Sequence, residues 1–423
     1  MSPQTEQQGV TLAEDAASLP HTNAATSKLS PARPLSPEQN ALLKEVLSFC
    51  SDHLDDQSAL LVIEGAAGTG KSVVLNAIFN AIQTRARSRN PADPLSGTRN
   101  ALLVNHPEML KLYRNIAADM PALKKADFER PTTFIKRLHK SDGRADIVLV
   151  DEAHLLLTRP DRYNHFKQQN HLEEILELAR VVIIVFDPLQ VLKFKSHWST
   201  TMLDKFRKGR PTKTLHLTTQ FRVGSGPAVR HWLDALAEGQ ILPCPHDPKF
   251  DLRIYDDCAQ LYQDLQARNR EVGLCRLLST YDYPYRLDGE DHFIKEGRFR
   301  LRWDRSKPEE KLPWAERPDT IEEVGSVYTI QGFDLNYAGV ILGPSLSYDA
   351  ATDSIRVDPS RYEDSAAFQG RDGIAAPEKA KERVILNALN VLLTRGMNGL
   401  YLYAHDPALR KRLLNSRIDI QND

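Results

Sequence analysis

Eight residues near the start of the chain form a pattern that binds phosphate groups. They follow an apolar run, residues 60–63, and precede a helix-like run, residues 73–81. A strand, a glycine-rich loop and a helix in this order are the context of a phosphate-binding loop. Glycines let backbone N–H groups turn toward phosphates, a lysine adds positive charge, and a serine hydroxyl can ligate Mg²⁺. The pattern predicts a nucleotide site made by Gly65, Ala66, Ala67, Gly68, Thr69, Gly70, Lys71 and Ser72.

A second segment supplies carboxylates suited to hydrolysis. Residues 146–150 are a buried-type strand that ends in Asp151 and Glu152, followed by Ala153 and His154. The carboxyl end of such a strand is where an open α/β sheet places its ligand site. We expect Asp151 to hold Mg²⁺ through its water shell, and Glu152 to orient or deprotonate an attacking water.

Further polar residues follow later apolar runs. Gln190 comes after the run 181–186 and Asp187, which makes it a candidate sensor of the γ-phosphate. Arg222 and Arg395 follow two well-separated segments, and two such arginines could stabilise charge that develops on the γ-phosphate. Residues 331 and 332, a Gln-Gly pair, mark a tight polar turn before the apolar run 338–343.

Alternating strand and helix patterns must position these residues. Such alternation predicts a parallel sheet with helices on both faces, whose polar strand ends collect at one edge. Residues 1–35 are rich in Ser, Thr, Pro, Ala and Gln, and predict a disordered tail. A helix is expected to begin next, with Ser36 as its cap, Pro37 in its first turn and Gln39 inside it.

Composition excludes several classes of protein. A chain of 423 residues predicts two or three domains, and its net charge of −1 excludes an overall basic footprint. The four cysteines have no paired spacing, which favours neither a zinc site nor disulfides and predicts a reducing, cytoplasmic location. No apolar run approaches membrane-spanning length and no signal peptide is evident, so we expect no membrane partner.

Nucleic-acid contacts would therefore come from local basic clusters. Aromatic residues lie close to the clusters in sequence, and a cationic groove with stacking rings suits a single strand. Charge runs are also typical of solvated helix faces, so both interpretations stand. The basic residues are Lys111, Arg114, Lys124, Lys125, Arg130, Lys136, Arg137, Lys140, Lys205, Arg207, Lys208, Arg210 and Lys213, and the aromatic residues are Tyr113, Phe128, Phe134 and Trp198.

Taken in order, the motifs resemble those of a superfamily 1 helicase. More closely, the chain resembles the Schlafen-type DNA/RNA helicase domain family of bacterial proteins, formerly a domain of unknown function. Residues 327–341 are especially typical of that family, and the resemblance covers about residues 38–415. The motifs are the phosphate loop, Asp-Glu-Ala-His at 151–154, Asp-x-x-Gln at 187–190, Gln-Phe-Arg at 220–222, Thr-Ile-Gln-Gly-Phe-Asp at 329–334 and Leu-Thr-Arg-Gly at 393–396.

The resemblance implies two RecA-like domains that sandwich ATP, residues 36–222 and residues 223–423. The first would carry the phosphate loop, the carboxylates and Gln190, while Arg222 lies at the junction and Arg395 approaches from the second. Gln331 and Gly332 would couple the nucleotide to a nucleic-acid strand, and Gln39 could recognise adenine.

The function expected is a Mg²⁺-dependent ATP hydrolase, a helicase or translocase acting on single-stranded DNA or RNA. The alternative is an ATP-operated switch that binds nucleic acid or a protein and does not unwind. A nucleotide kinase is a more distant third, because it would need neither the Gln-Gly motif nor two separated arginines. The sequence does not choose between DNA and RNA, and it indicates no particular protein partner.

Overall fold

The computed structural model describes residues 25–31, 33–65, 68–187, 193–196, 198, 200–219, 225–285, 290–304, 310–369 and 376–416. These residues form two mixed α/β domains that face each other across a cleft. No helix in these ranges is long and apolar enough to cross a membrane.

The first domain is built on a six-stranded sheet. All of its neighbouring strands are parallel, in the spatial order β3-β2-β4-β5-β1-β6. The strands are β1 Ala59–Gly65, β2 Asn100–Val104, β3 Phe128–Glu129, β4 Ala145–Asp151, β5 Ala179–Phe186 and β6 Thr212–Leu217. The helices are α1 Ala25–Lys28, α2 Pro37–Asp52, α3 Lys71–Ala86, α4 Pro107–Ala118, α5 Pro131–Ser141, α6 His171–Leu178 and α7 Thr200–Arg207.

Both faces of this sheet are buried. Along β1, Leu61 and Ile63 belong to one apolar cluster, whereas Leu60 and Val62 belong to another. Successive side chains of a strand point to opposite faces, so the sheet packs against helices on both sides. This is why β1, β4 and β5 are nearly continuous apolar runs in the sequence.

The second domain is built on a seven-stranded sheet of order β7-β15-β12-β8-β11-β10-β9. Adjacent strands of this sheet are parallel, except for β9 and β10, which are antiparallel. The strands are β7 Asp251–Ile254, β8 Cys275–Ser279, β9 Phe293–Glu296, β10 Phe299–Trp303, β11 Glu323–Gly325, β12 Leu335–Leu342 and β15 Gly396–Ala404, with a separate hairpin of β13 Leu346–Asp349 and β14 Ser354–Val357. The helices are α8 Pro227–Ala237, α9 Cys258–Val272, α10 Val327–Ile330, α11 Pro377–Leu393 and α12 Pro407–Asn415.

The predicted fold class, two RecA-like α/β domains with mainly parallel sheets, is confirmed. The second sheet is buried on both faces like the first. Along its strand β12, Val340 belongs to one apolar cluster and the next residue, Ile341, belongs to another. The last strand of the first domain ends at Leu217, and α8 packs on α11 of the second. The predicted boundary between residues 222 and 223 lies outside the described residues.

The chain before α2 is ordered earlier than the sequence predicts. Residues 1–24 of the predicted tail lie outside the described residues, but α1 lies within the remainder. Ala25 and Leu29 are buried, and Asn76 Nδ2 donates to the backbone oxygen of Leu29 at 2.5 Å. Order therefore extends before residue 35, because these apolar side chains find a packing site on the first domain.

The predicted start of α2 is confirmed. Ser36 Oγ accepts a hydrogen bond from the backbone N–H of Gln39 at 3.2 Å, and Gln39 Oε1 accepts one from the backbone N–H of Ser36 at 3.1 Å. This reciprocal capping box satisfies two backbone donors that would otherwise lack partners at the helix end. Pro37 occupies the first turn.

Helix α4 joins the two domains. Glu108 Oε2 accepts a hydrogen bond from the backbone N–H of Trp314 at 2.9 Å, and Asn115 Nδ2 donates to the backbone oxygen of Lys311 at 3.0 Å. Met109, also on α4, packs against Gly332 of the Gln-Gly turn. The helix thus contacts the second domain along its length.

Candidate active site

A cavity of about 240 Å³ lies at the cleft between the domains. Residues of both domains line it. The first domain contributes the segment around α1, the start of α2, the phosphate loop and Glu152, and the second domain contributes residues near Gly332 and Met397. The lining residues are Ala25, Lys28, Leu29, Arg33, Pro34, Ser36, Gln39, Gly68, Gly70, Lys71, Ser72, Val73, Glu152, Gly332, Asp334 and Met397.

The phosphate loop leads from β1 into α3. Gly70 precedes the helix with φ of 76°, a left-handed conformation that a side chain would strain. Lys71 is buried, and its Nζ donates to the backbone oxygen of Gly65 at 2.7 Å and contacts Asp187 Oδ2 at 3.2 Å. The lysine is thus held at the start of α3, where backbone N–H groups and the helix dipole favour an anion.

The remaining predicted loop residues divide into two groups. Gly68 lines the cavity and Thr69 is buried beside it. Ala66 and Ala67 lie outside the described residues.

Asp151 is held by two hydroxyl groups. Ser72 Oγ donates to its Oδ1 at 3.3 Å, and Tyr113 Oη donates to its Oδ2 at 2.5 Å. Burial, together with the nearby charge of Glu152, raises the pKa of Asp151. The hard oxygen atoms of Ser72, at the start of α3, and of Asp151, at the end of β4, match the preference of Mg²⁺, so these two residues fit the predicted metal site.

Glu152 adopts an unusual backbone conformation. Its φ of 49° is left-handed, which is uncommon for a residue with a side chain and is often associated with functional sites. Asp151 Oδ1 accepts a hydrogen bond from the backbone N–H of Glu152 at 3.0 Å and supports this turn. Burial opposes ionisation, but the charges of His154, Lys71 and Arg395 hold the pKa of Glu152 below its usual value. A carboxylate that stays ionised can act as a base.

A histidine lies between this carboxylate and the second domain. His154 is buried, and its Nε2 lies 3.0 Å from Glu152 Oε2 and 3.0 Å from Gln331 Nε2. Gly332 follows with φ of 87°, and a Cβ atom there would lie 2.5 Å from Met109 Sδ. The Gln-Gly turn therefore packs closely on Met109 of the first domain, and its left-handed backbone favours glycine at this position.

Arg395 lies near the carboxylate but is also tied to its own domain. Its side chain is fully buried; Nε donates to the backbone oxygen of Val391 at 2.6 Å, and Nη1 donates to that of Phe333 at 3.2 Å. Its charge still acts on Glu152, because it contributes to the lowered pKa of that carboxylate. The other predicted arginine, Arg222, and the predicted sensor, Gln190, lie outside the described residues.

Several contacts of this site could not be predicted from the sequence. Gln39, Lys28 and Asp334 all line the cavity. Of these three, only Gln39 was expected to be a site residue. Lys28 Nζ lies 2.8 Å from Asp334 Oδ2, so this ion pair links the α1 segment to the Gln-Gly loop. Tyr113 likewise joins the site only through a tertiary contact, whereas His154 and Asp187 belong to sequence motifs but have contacts that the motifs do not indicate.

The family is settled by the sequence as a whole. Residues 58–406 match the model of the family described as Schlafen group 3, DNA/RNA helicase domain. The chain belongs to this family. The resemblance seen in the motifs is therefore confirmed, and the cleft is that of a nucleotide-binding, P-loop, helicase-like domain.

Known proteins similar to this helicase domain include a eukaryotic one. Uncharacterized protein YPL245W of Saccharomyces cerevisiae is 46% identical over 410 residues, which cover 90% of each chain. Among solved structures, Pif1 helicase from Candida albicans is 12% identical with a TM-score of 0.34, covering 90% of this chain and 96% of that one. AMPPCP-bound DnaA from Aquifex aeolicus is 18% identical with a TM-score of 0.26, covering 45% and 50%.

The aromatic residues expected to stack on bases are in the core of this helicase domain. Tyr113, Phe128, Phe134 and Trp198 are all buried, so the prediction of a groove lined by these rings is wrong. Tyr113 and Phe128 stack on each other, with centroids 5.6 Å apart. They follow the general tendency of large aromatic side chains to fill cores.

Some of the basic residues near those rings form ion pairs or hydrogen bonds within the protein. Lys111 pairs with Glu108 at 2.9 Å and Arg137 with Glu129 at 2.6 Å. Arg114 donates to the backbone oxygen of Phe128 at 3.0 Å. These three basic residues of α4 and α5 are therefore held by contacts within the protein.

Proposed function

We propose that this protein is a Mg²⁺-dependent ATP hydrolase of the helicase type that acts on single-stranded DNA or RNA. The observation that carries the proposal is the contact of one imidazole, His154, with Glu152 in the first domain and Gln331 in the second. The imidazole thereby lies between a carboxylate suited to hydrolysis and a loop of the opposite domain. Such a link is what a motor needs to convert hydrolysis into domain movement.

The roles follow from the positions of the side chains. Lys71 would bind the β- and γ-phosphates of ATP, and Glu152 would orient or deprotonate the attacking water. Ser72 and Asp151 would hold Mg²⁺, whose charge would offset that of the phosphates. Gln39, at the cavity wall, would contact adenine.

Three further residues would act on the γ-phosphate. Gln190 would sense its presence, and Arg222 and Arg395 would stabilise the negative charge that develops on it. Arg395 is supported by its electrostatic effect on Glu152.

We also infer a cytoplasmic location. Cys50, Cys244, Cys258 and Cys275 are free and buried. Free thiols are typical of proteins in a reducing compartment.

The first test compares ATP hydrolysis with and without single-stranded DNA and RNA, and runs a strand-displacement assay in parallel. Stimulation together with displacement supports a helicase, and stimulation alone supports a translocase. Hydrolysis that no single strand stimulates at low salt would reject the motor and favour the alternative, an ATP-operated switch. Stimulation should weaken steeply as salt rises, since phosphate contacts release counterions.

The same assay tests the link between the domains. Gln331→Ala should bind ATP like the parent but lose stimulation by single strands, because the contact between Gln331 and His154 is removed. The matched control is Gln260→Ala, which changes an exposed glutamine on α9 and should be stimulated normally. Full stimulation of Gln331→Ala would remove this residue from the coupling path.

The hydroxyl of Tyr113 is expected to orient Asp151 toward the metal. Tyr113→Phe keeps the ring against Phe128 but removes the hydrogen bond, so the Mg²⁺ concentration needed for half-maximal effect should rise about 10-fold, as for other residues that orient metal ligands. Titrating Mg²⁺ against both ATP hydrolysis and the binding of a fluorescent ATP analogue measures this. Tyr348→Phe removes a similar tyrosine–aspartate bond, to Asp353, and serves as the control. An unchanged Mg²⁺ requirement in Tyr113→Phe would limit Tyr113 to packing.

A further inference from the structure

Tyr163 is the most solvent-exposed large apolar side chain of the described residues. It is 82% exposed, whereas the only other exposed one in those ranges, Leu312, is 43% exposed. Single exposed apolar side chains are common on proteins and need no explanation by themselves. Tyr163 differs from such residues because it lies on a loop that is closed by hydrogen bonds and anchored by buried side chains.

The loop that carries Tyr163, residues 161–166, is closed and fixed. Asp161 and Phe166 exchange two backbone hydrogen bonds, each 2.9 Å long. The Asp161 carboxylate is buried and accepts from the backbone N–H of Tyr163 at 3.1 Å and from Asn164 Nδ2 at 2.8 Å. Phe166 is buried against His171, with centroids 4.1 Å apart. The base of the loop is therefore anchored in the core, while Tyr163 is held out into solvent.

This loop, the Tyr163 loop, lies at the sheet edge that carries the active site. Asn164 Oδ1 accepts a hydrogen bond from Arg130 Nη2 at 3.0 Å, and the same Nη2 lies 3.4 Å from Asn105 Oδ1. Arg130 follows β3 and Asn105 follows β2, so both mark the carboxyl ends of the strands. Ligands of open α/β sheets bind along this edge.

The exposed charged residues nearest to Tyr163 in the sequence are basic. Arg162 and Lys167, on either side of it in the sequence, are exposed, and within the described part of the chain neither is paired with a carboxylate. The one carboxylate of the loop, Asp161, faces inward and contacts Lys195 Nζ at 3.1 Å. An exposed ring with cations on both sides matches the bases and phosphates of a single strand.

We propose that Tyr163 stacks on a base of single-stranded nucleic acid, with Arg162 and Lys167 contacting the adjacent phosphates. The inference rests on the proposed function and adds to it the aromatic contact that the buried rings cannot provide. Because the loop is already fixed and tyrosine has few rotatable bonds, stacking would immobilise little that is free. Any base can stack, so this contact would not select a sequence.

The test is the binding of fluorescein-labelled oligothymidine and oligouridine to the full chain at low salt, measured by anisotropy. Tyr163→Ala should weaken binding on the order of 10-fold, as loss of a base–aromatic stack does elsewhere, while Tyr163→Phe should bind like the parent. Leu312→Ala, the matched exposed apolar control, should leave binding unchanged. Since Tyr163 is exposed, none of these changes is expected to unfold the protein.

A second readout separates stacking from charge. The fluorescence of 2-aminopurine in the oligonucleotide should be quenched by the parent and by Tyr163→Phe, and less by Tyr163→Ala. The double change Arg162→Ala and Lys167→Ala should instead reduce the slope of log Kd against log salt by roughly two, one for each phosphate contact.

The outcomes distinguish the inference from the function on which it rests. If the parent binds the oligonucleotides and Tyr163→Ala binds equally well with equal quenching, the stacking role is overturned while the helicase proposal stands. In that case the exposed ring would be a contact for a protein. If the parent binds neither oligonucleotide at low salt, the proposed function itself fails.

Discussion

Glu152→Gln should stop ATP turnover while leaving ATP bound. The change keeps the shape of the side chain but removes the charge that orients or deprotonates water, and the expected loss of rate is on the order of 10²-fold or more. Binding of a fluorescent ATP analogue and release of phosphate should be measured on the same preparation. Lys71→Ala gives the contrasting result, because it removes the phosphate contact and should abolish nucleotide binding.

The surroundings of Glu152 explain why its substitution should affect turnover rather than ATP binding. Its carboxylate is buried, which opposes ionisation, yet the interactions with His154, Lys71 and Arg395 hold its pKa below the usual value and so favour the ionised form. The control is Glu173→Gln, an exposed glutamate on α6 that should hydrolyse ATP like the parent. Normal turnover by Glu152→Gln would show that another group activates the water, and its role would have to be reassigned.

The parts of the site that the sequence could predict are those set by local structure. The phosphate loop and the two carboxylates each sit directly after an apolar strand, so their order along the chain places them at one edge of the sheet. The cap of α2 is likewise a contact over three residues, Ser36 to Gln39. In each case the neighbouring sequence determines the position of the side chain.

The parts that could not be predicted depend on distant partners. Tyr113 and Asp151 are 38 residues apart, Lys71 and Asp187 are 116 apart, and Lys28 and Asp334 are 306 apart. No local pattern identifies such pairs, because each forms only when the sheets and the cleft are assembled. Lys28 further illustrates this, since its segment has the composition of a tail.

The aromatic residues are a second case in which the sequence does not determine the position of a side chain. A ring that stacks on a base and a ring that fills a core are the same side chain, and only burial separates them. Tyr113 is fully buried, whereas Tyr163, in a stretch that composition did not single out, is exposed. The sequence named rings as candidates for base stacking, and burial in the core removes those four candidates.

Arg395→Gln should lower ATP turnover by about 10³-fold, the size of effect expected where an arginine stabilises charge on the transferred phosphoryl group. The affinity for ATP should change far less, because the arginine acts on charge that is present only in the transition state. Turnover and ATP affinity should be measured together with the midpoint of thermal unfolding. Arg383→Gln, which changes a half-exposed arginine on α11, is the matched control.

The thermal measurement is needed because Arg395 has a structural role as well. It donates to the backbone oxygens of Val391 and Phe333, and so ties the end of α11 to the loop that follows Gly332. A purely structural arginine would lower the unfolding midpoint and ATP binding in Arg395→Gln, with turnover per folded molecule near that of the parent. A catalytic arginine would lower turnover in molecules that are folded and fully loaded with ATP. Since the same guanidinium reaches the Gln-Gly loop and acts on Glu152, the second outcome would also mean that movement of this loop alters the charge at the site of hydrolysis.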